Sequence, residues 1–429
     1  MRSDLRGAGP ALAVVAVLAM ASAWAADAPI EAVTFDEAVQ RAIDNNRDVR
    51  RAAASISAAE ARLLEARSRI MPVVGIEAGE IFRDQERAFD GSVVVPDNQF
   101  SLSGYAYAPV LDAAAWARRA QAAERVGVAE LEAVDVRRQV ATATAQVYLA
   151  VVAAQRQVEI DSRARDNAQA QRDYAQTRFE GGAGSRLNAV RAAEVLATDE
   201  VLVERSRLAL RLTQEALGLL MAADAPVDAA GAPTLEVPTV VDEADLELRT
   251  DLRLLSARRD LATTVLEDSW KDWLPVVVAS FDPRFVDPAG AFEDSSTWSA
   301  TIAASFPIYL GGERKANRLL READLAVAEI DLDQAGIRAR SEVRAARAAI
   351  DAAERGLASA TLAAEHANEV LRITDLAFRA GSTTNIELVD AQRRARDAET
   401  AAARAEDILS LARLDLLDAL GLFPGGGTR

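Results

Sequence analysis

The chain repeats itself, and this internal duplication limits its possible folds more than any other feature of the sequence. Asp48 and Asp251 each lie 24 residues before a proline, Pro72 and Pro275, that begins a Pro-Val-Val segment. Later matched positions, in the same order along the chain, are Pro109 with Pro307, Phe179 with Phe378, and Gly182 with Gly381. Because the spacing between matched positions stays close to 200 residues, the sequence predicts two structural repeats of that size.

The ends of the repeats follow from composition. Arg2 and Arg6 precede a short apolar stretch and a small-residue site at Ala25, which is typical of an export signal. Prolines concentrate between the repeats, as expected of a linker. The predicted segments are a signal peptide at 1–25, a first repeat at 26–222, a linker at 223–243, a second repeat at 244–422 and a short tail at 423–429.

Composition excludes several classes of function. The 429 residues carry a formal net charge of −17, which disfavours a nucleic-acid partner because such a partner requires a basic surface. The chain has no cysteine, and its one histidine cannot build a polyhistidine metal site. The sequence also offers no nucleophile motif, metal cluster or phosphate-binding loop. We therefore predict that the protein is not an enzyme, and we expect no catalytic, cofactor-binding or metal-binding residues.

Very long helices are expected in both repeats. No proline occurs between Pro109 and Pro226, or between Pro307 and Pro424. As a single helix, residues 112–178 would be about 100 Å long at 1.5 Å per residue. Each repeat is therefore predicted to contain a helix, two strands, a very long helix, a glycine-containing turn and a second long helix.

Four segments alternate between apolar and small polar residues, two in each repeat. Residues 74–78 and 100–108 alternate in the first repeat, and 277–284 and 298–306 alternate in the second. This period of two is that of a strand with one apolar face, which suits an outer-membrane barrel. Four strands cannot close a barrel, so the strand count predicts self-association: two copies would supply eight strands and three would supply twelve.

The ordered, doubled set of motifs resembles the TolC-type outer-membrane efflux factors over essentially the whole mature chain. The resemblance depends on the helix, Pro-Val-Val strand, strand and Pro-[Val/Ile] helix pattern, and on the Phe-x-x-Gly turns that contain Gly182 and Gly381. It implies a mainly α fold with membrane β strands. Three copies would share a 12-stranded β-barrel in the Gram-negative outer membrane, continued by a periplasmic α-helical barrel.

The same resemblance implies partners and a function. The expected partners are two further copies of the chain, outer-membrane lipid, a periplasmic adaptor protein, and an inner-membrane pump or ABC transporter. The chain would form a passive exit duct of a tripartite efflux or type I secretion system. The alternatives are a periplasmic adaptor, which leaves the duplication unexplained, and a coiled-coil structural protein, which leaves the four strands unexplained.

Site residues implied by the resemblance lie at the two helical turns. Glu387 and Asp390 match the acidic ring of the pore entrance, and the turns at Gly182 and Gly381 match the docking points for the adaptor. A ring of carboxylates would attract cations and repel anions. The residues that hold the entrance closed in the family are a tyrosine, an arginine and an acid. This sequence has Phe378, Thr383 and Asn188 at those positions, so it predicts a gate closed in another way.

Overall fold

The computed structural model describes residues 30–237, 246 and 249–424. The predicted signal peptide, part of the predicted linker and residues 425–429 lie outside the described residues. In chain order the elements are β1 (Glu31–Val33), α1 (Phe35–Asn45), α2 (Arg47–Ser68), β2 (Val73–Phe82), β3 (Arg87–Phe89), β4 (Ser92–Val95), β5 (Asn98–Leu111), α3 (Ala113–Glu180), α4 (Arg186–Leu220), β6 (Val227–Ala229), α5 (Thr250–Glu267), a 3-10 segment (Asp268–Trp273), β7 (Val276–Asp287), β8 (Ser296–Ser305), α6 (Glu313–Arg379) and α7 (Asn385–Ala419). The prediction of a mainly helical, duplicated fold is confirmed.

The chain divides into two compact units. The first contains residues 30–44, Ala143–Leu235 and Asp351–Leu411, and the second contains Asn45–Thr142, Glu236–Ile350 and 412–424. Helices α3 and α6 have 68 and 67 residues, and these lengths agree with the long helices that the proline-free stretches predict. Each of the two helices contributes residues to both units. Among the described residues, no helix combines the length and the apolar composition needed to cross a membrane.

The second unit contains an antiparallel sheet in the order β2-β5-β7-β8. The four segments with alternating residues all lie in this sheet, so the strand prediction holds. Cross-strand pairs such as Leu102 with Phe285 and Ala279 with Ile302 place apolar residues of neighbouring strands on one face. Pairs such as Ser103 with Arg284 and Ser280 with Thr301 lie on the other face. The sheet therefore has one apolar and one polar face, and β2 and β8 form its edges.

Two loops pack together at one end of this sheet. Strands β3 and β4 pair as a short hairpin in the loop between β2 and β5. The Ala291 N–H of the loop between β7 and β8 donates to the Val93 carbonyl at 2.8 Å, and the Gln99 side chain donates to the Pro288 carbonyl at 3.3 Å. The alternation pattern did not predict this hairpin, because three- and four-residue strands are too short to show a period.

The first unit holds the two ends of the first repeat together. Strands β1 and β6 pair in parallel, and the Tyr148 hydroxyl of α3 lies 3.1 Å from the Val33 carbonyl and 3.0 Å from the Gly231 carbonyl. Tyr148 is almost fully buried, with its ring edge-on to Phe35. The predicted linker at 223–243 thus contains an ordered strand, β6, which composition did not indicate.

The core of the second unit gathers residues that are far apart in sequence. It is formed by Leu246, Val343, Ala346, Leu416, Ala419 and Leu420. At its border, the nearly buried Arg249 donates to the Ala419 carbonyl at 2.8 Å and pairs with Asp251 and Glu342 at 2.8 and 2.9 Å. Arg249 thereby caps the C-terminal end of α7, where unpaired carbonyls favour a cation.

Candidate functional site

The two helical turns predicted from sequence have the same backbone conformation. In the turn between α3 and α4, Gly182 has φ of 72°, and the Ala183 N–H donates to the Arg178 carbonyl at 2.9 Å. In the turn between α6 and α7, Gly381 has φ of 76°, and the Ser382 N–H donates to the Ala377 carbonyl at 2.9 Å. Both are Schellman motifs, in which glycine adopts the left-handed conformation without steric cost. Each glycine thus ends one long helix and reverses the chain.

Glu387 has a local structural role beside the second turn. Its carboxylate accepts hydrogen bonds from the Thr384 N–H at 3.0 Å and from the Thr383 hydroxyl. In return, the Glu387 N–H donates to the Thr384 hydroxyl at 3.4 Å. This reciprocal arrangement is a capping box that starts α7, and the sequence Thr-x-x-Glu could have indicated it. Glu387 is exposed, so its charge reaches solvent as well as the cap.

Asp390 lies one turn further along α7. It forms an i,i+4 ion pair with Arg394 at 2.8 Å, and its side chain is 42% exposed. An ion pair this exposed stabilises a helix only slightly. Glu387 and Asp390 are thus three residues apart on α7, where helical spacing places them on neighbouring positions of one surface.

The three residues that depart from the family pattern have other contacts here. The Phe378 ring lies edge-on to the Tyr174 ring of α3, with centroids 6.3 Å apart. Thr383 donates to Glu387, as described above, and Asn188 lies half-buried in the first turn of α4. The contact between Phe378 and Tyr174 joins the α3–α4 hairpin to the α6–α7 hairpin through apolar rings.

Polar contacts that the sequence did not predict also join these two hairpins. The shortest is an ion pair between Arg396 of α7 and Asp199 of α4, with a distance of 2.6 Å from Nη1 to Oδ1. Arg156 of α3 contacts Asp407 of α7 at 2.9 Å, and the Gln171 side-chain amide donates to the side-chain Oδ1 of Asn385 at 3.4 Å. Arginine and aspartate are frequent throughout both helices, so composition gave no means of selecting these partners.

Burial changes the acidity of the carboxyl groups in these contacts. Burial raises the pKa of Asp199, and the neighbouring Asp161 adds to the rise while Arg396 opposes it. The pKa of Asp407 is raised for the same main reason, since burial outweighs the opposing charge of Arg156. These carboxyl groups therefore hold their protons more tightly than exposed ones do.

The space between the hairpins is lined by both apolar and charged residues. A cavity of about 360 Å³ lies between α3, α4, α6 and α7, bordered by charged residues that include Arg163, Glu194, Arg393 and Glu399. Within residues 30–237, 246 and 249–424, no group of three or more His, Asp or Glu side chains is arranged to bind a metal ion. The chemistry of this region is that of ion pairs and helix caps.

Comparisons with known proteins agree with this architecture. The sequence matches the outer membrane efflux protein family over residues 38–230 and again over 243–422. A membrane protein from Pseudomonas aeruginosa aligns with a TM-score of 0.79 at 21% identity, covering 91% of each chain. The Campylobacter jejuni outer membrane channel CmeC aligns with a TM-score of 0.80 at 17% identity, covering 90% of this chain and 85% of that one.

A third structure, the open state of the Neisseria gonorrhoeae outer membrane channel MtrE, aligns with a TM-score of 0.77 at 17% identity and covers 92% of this chain and 93% of that one. No curated protein sequence matches the chain. At these identities the solved structures show a shared fold, whereas the two family matches cover most of the sequence, one in each repeat.

Proposed function

The chain belongs to the outer membrane efflux protein family, and from this premise we propose that it forms the exit duct of a tripartite efflux or type I secretion system. The duct would conduct substrates passively from the periplasm or an inner-membrane pump to the exterior. Family membership favours this role over the two alternatives considered from sequence, a periplasmic adaptor and a coiled-coil structural protein.

The observation that carries the proposal is the four-stranded sheet of the second unit. Its apolar face includes Ile76, Trp298 and Ile302, which are 71–78% exposed in the single chain. In a bilayer this face would contact lipid, and the face with Ser103, Arg284 and Thr301 would line the lumen. The edge strands β2 and β8 require partners, because unpaired backbone groups in lipid cost several kcal/mol each. Three copies joined edge to edge would make twelve strands.

The helical turns are the proposed periplasmic end of the duct. An adaptor protein would dock at the turns of Gly182 and Gly381, and an inner-membrane pump or ABC transporter would act through that adaptor. Carboxylates of Glu387 and Asp390 from three copies would converge near the axis and select for cations. This placement is supported by their positions directly after the Gly381 turn and by their exposure.

The closed state of the entrance is proposed to depend on contacts between the hairpins. With Phe378, Thr383 and Asn188 at the family's gate positions, the edge-on contact of Phe378 with Tyr174 would replace a polar link. The ion pair of Arg396 with Asp199 would then supply the main electrostatic link between α7 and α4.

The mass of the protein extracted from outer membranes in mild detergent tests this proposal. We expect a species of three chains that sediments with the outer membrane and dissociates on heating. Its incorporation into planar bilayers should produce cation-selective currents. A monomer that is released with the periplasmic contents would overturn the proposal. It would then favour one of the two alternatives, a periplasmic adaptor or a coiled-coil structural protein.

A further inference from the structure

The chain contains only two lysines, and both lie where the four-stranded sheet meets the long helices. Lys271 belongs to the 3-10 segment before β7, and Lys315 lies in the first turn of α6, after β8. Every other basic residue apart from the single histidine is an arginine. Because Val276 pairs with Ser305, the residues before β7 and those after β8 leave the sheet at the same end. We call this the helix end of the sheet.

Three elements of the second unit are in contact at the helix end. The Gln121 side chain of α3 donates to Asp268 of the 3-10 segment at 3.1 Å. The Arg314 guanidinium of α6 lies over the Trp273 ring of the same segment, 4.6 Å from its centroid. The first turns of α3 and α6 are therefore both held against the 3-10 segment.

Tryptophans are concentrated at the helix end. Three of the four tryptophans that follow the predicted signal peptide lie there, and Trp116, Trp270 and Trp273 are 49–58% exposed. Tyr309, between β8 and α6, is 82% exposed. In the proposed duct the sheet crosses the hydrocarbon, so its helix end lies at the headgroup boundary, where these side chains are favoured. We call the following set the junction patch: Trp116, Trp270, Lys271, Trp273, Arg314 and Lys315.

Both long helices begin with positive charge. Arg118 and Arg119 lie in the second turn of α3, before any acidic residue of that helix. The first turn of α6 contains Arg314 and Lys315 together with Glu313. A helix has a partial positive charge at its N-terminal end, so basic side chains there are unfavourable unless an anion lies nearby. In a chain with a net charge of −17, this arrangement favours an anionic neighbour at the helix end.

Some of these cations already have a partner, and others are free to bind one. Lys271 pairs with Asp268 at 2.6 Å, and its side chain is 29% exposed. Lys315, Arg118 and Arg119 are exposed, and within the described part of the chain none of them forms an ion pair. These three side chains can therefore reach an anion outside the protein.

We propose that the junction patch binds the phosphate of an anionic phospholipid in the periplasmic leaflet of the outer membrane. The lysine ammonium groups would contact the phosphate, as lysine does in other phosphate sites. The tryptophan rings would lie beside the glycerol and the upper acyl chain. The inference rests on the proposed function, since it requires that the sheet crosses a bilayer with its helix end toward the periplasm.

The two lysines allow a test on the natural protein. The full chain would be reconstituted into vesicles of phosphatidylglycerol or of phosphatidylcholine, whose headgroup has no net charge, and treated with an amine-acetylating reagent. Peptide mass spectrometry would give the acetylation rate of each lysine. We expect Lys315 to react about fivefold more slowly in phosphatidylglycerol, because a basic residue near an anionic membrane surface is attracted to its headgroups. Lys271 should change in the same direction.

An introduced lysine controls for the charge of the membrane itself. Arg205 is exposed on α4, outside the junction patch, so Arg205→Lys adds a third reactive amine without changing the net charge. Its acetylation rate should be the same in both lipids. An equal slowing of all three lysines would overturn the proposed site.

Lipid retained by the protein in mild detergent provides a second measurement. Lys271→Gln with Lys315→Gln should weaken the binding of phosphatidylglycerol about fivefold for each lysine removed. Lys271→Arg with Lys315→Arg keeps both charges and should retain the lipid. Arg205→Gln with Arg211→Gln removes two exposed cations from α4 and should also retain it. Equal losses in the two glutamine variants would contradict the assignment to the junction patch.

The mass of the protein in each sample distinguishes the two proposals. A trimer whose lysines are protected only in phosphatidylglycerol supports both. A trimer whose lysines react equally in the two lipids would overturn the lipid site and leave the proposed function intact. Equal protection by inorganic phosphate without lipid would identify a simple anion site and overturn the lipid assignment. A monomer released with the periplasmic contents would overturn both proposals.

Discussion

Arg396 of α7 and Asp199 of α4 form an ion pair at 2.6 Å, with the Asp199 side chain only 8% exposed. The two residues lie 197 positions apart and belong to different hairpins of the first unit. A carboxylate this deeply buried requires a charged partner, because the loss of hydration is otherwise uncompensated. The pair therefore couples the positions of the two hairpins.

We predict that Arg396→Met destabilises the protein by about 3 kcal/mol, because it leaves the Asp199 carboxylate buried without its cation. Urea denaturation at fixed protein concentration would measure the loss. Arg394→Met is the matched control on the same helix, since its ion pair with Asp390 is exposed and should contribute less than about 1 kcal/mol. Equal losses in the two variants would contradict the role assigned to Arg396.

The pH dependence of stability should also reveal the raised pKa of the Asp199 carboxyl group. Burial raises its pKa in the folded chain above the unfolded value of about 4. The folded state then binds the proton more tightly, so the stabilisation is fully present below the unfolded pKa and is lost as the pH rises through the folded pKa. The stability of the natural protein relative to Asp199→Asn should increase as the pH falls from 7 toward 4.

Asp251 provides a control, because its pKa is shifted in the opposite direction from that of Asp199. Burial raises its pKa, but hydrogen bonds and charge from Arg249 outweigh burial, and the net pKa is lowered. Its stabilisation is present above the unfolded pKa and is lost as the pH falls through the folded value. The stability of the natural protein relative to Asp251→Asn should decrease below about pH 4. The same trend in both variants would refute these assignments.

A further prediction concerns equivalent turns at the ends of α4 and α7. Ala222 has φ of 56° where the duplication places Gly421, whose φ is 70°. Each turn is closed by a similar bond, from the Ala223 N–H to the Gly218 carbonyl and from the Leu422 N–H to the Leu417 carbonyl, both 2.9 Å. We expect Ala222→Gly to raise stability by about 1 kcal/mol, because glycine avoids the left-handed strain of alanine.

The reverse substitution is the natural control. Gly421→Ala should lower stability by at least a similar amount, since the added Cβ would also lie 3.1 Å from the Arg249 side chain. Denaturation midpoints of the two variants should therefore move in opposite directions. A loss of stability in Ala222→Gly would show that the turn does not strain alanine.

Separate substitutions can distinguish the cap from the proposed pore charge at Glu387. Glutamine can still complete a capping box, whereas alanine cannot. We expect Glu387→Gln to keep the thermal stability, and Glu387→Ala to lose about 1 kcal/mol. If the carboxylate faces the pore, both variants should reduce cation selectivity in bilayer recordings, and adding Asp390→Ala should reduce it further and weaken block by multivalent cations. Unchanged selectivity in all three would refute the pore ring.

Much of the fold could be predicted because its signals are local and repeated. The alternation of apolar and polar residues occurs in the matched strands of both repeats, β2 and β5 in the first and β7 and β8 in the second. The absence of proline predicted the lengths of α3 and α6. The turns at Gly182 and Gly381 were recognisable because only glycine reverses a helix there without strain. Short elements such as β1 and β6 were not predicted, because a strand of three residues is too short to show a period.

Only part of the candidate site could be predicted from the sequence. Sequence placed Glu387 and Asp390 beside the second turn, but it did not connect Glu387 to Thr384, although the capping-box spacing was present. The pairing of Asp199 with Arg396 had no sequence signal, because either residue could have faced solvent on a helix rich in both charges.

By itself, the sequence determined the duplication, the long helices and the strands that need partners, since each depends on periodicity or on residue types with strong local preferences. Only the tertiary structure decided which charges are buried together and which helix faces are covered. Helices α2 and α5 are equivalent in sequence position, yet most residues of α5 are buried or half-buried, whereas most residues of α2 are exposed. That difference arises because packing depends on the neighbours that the fold supplies, and a chain of two repeats has two ends at which a neighbour is missing.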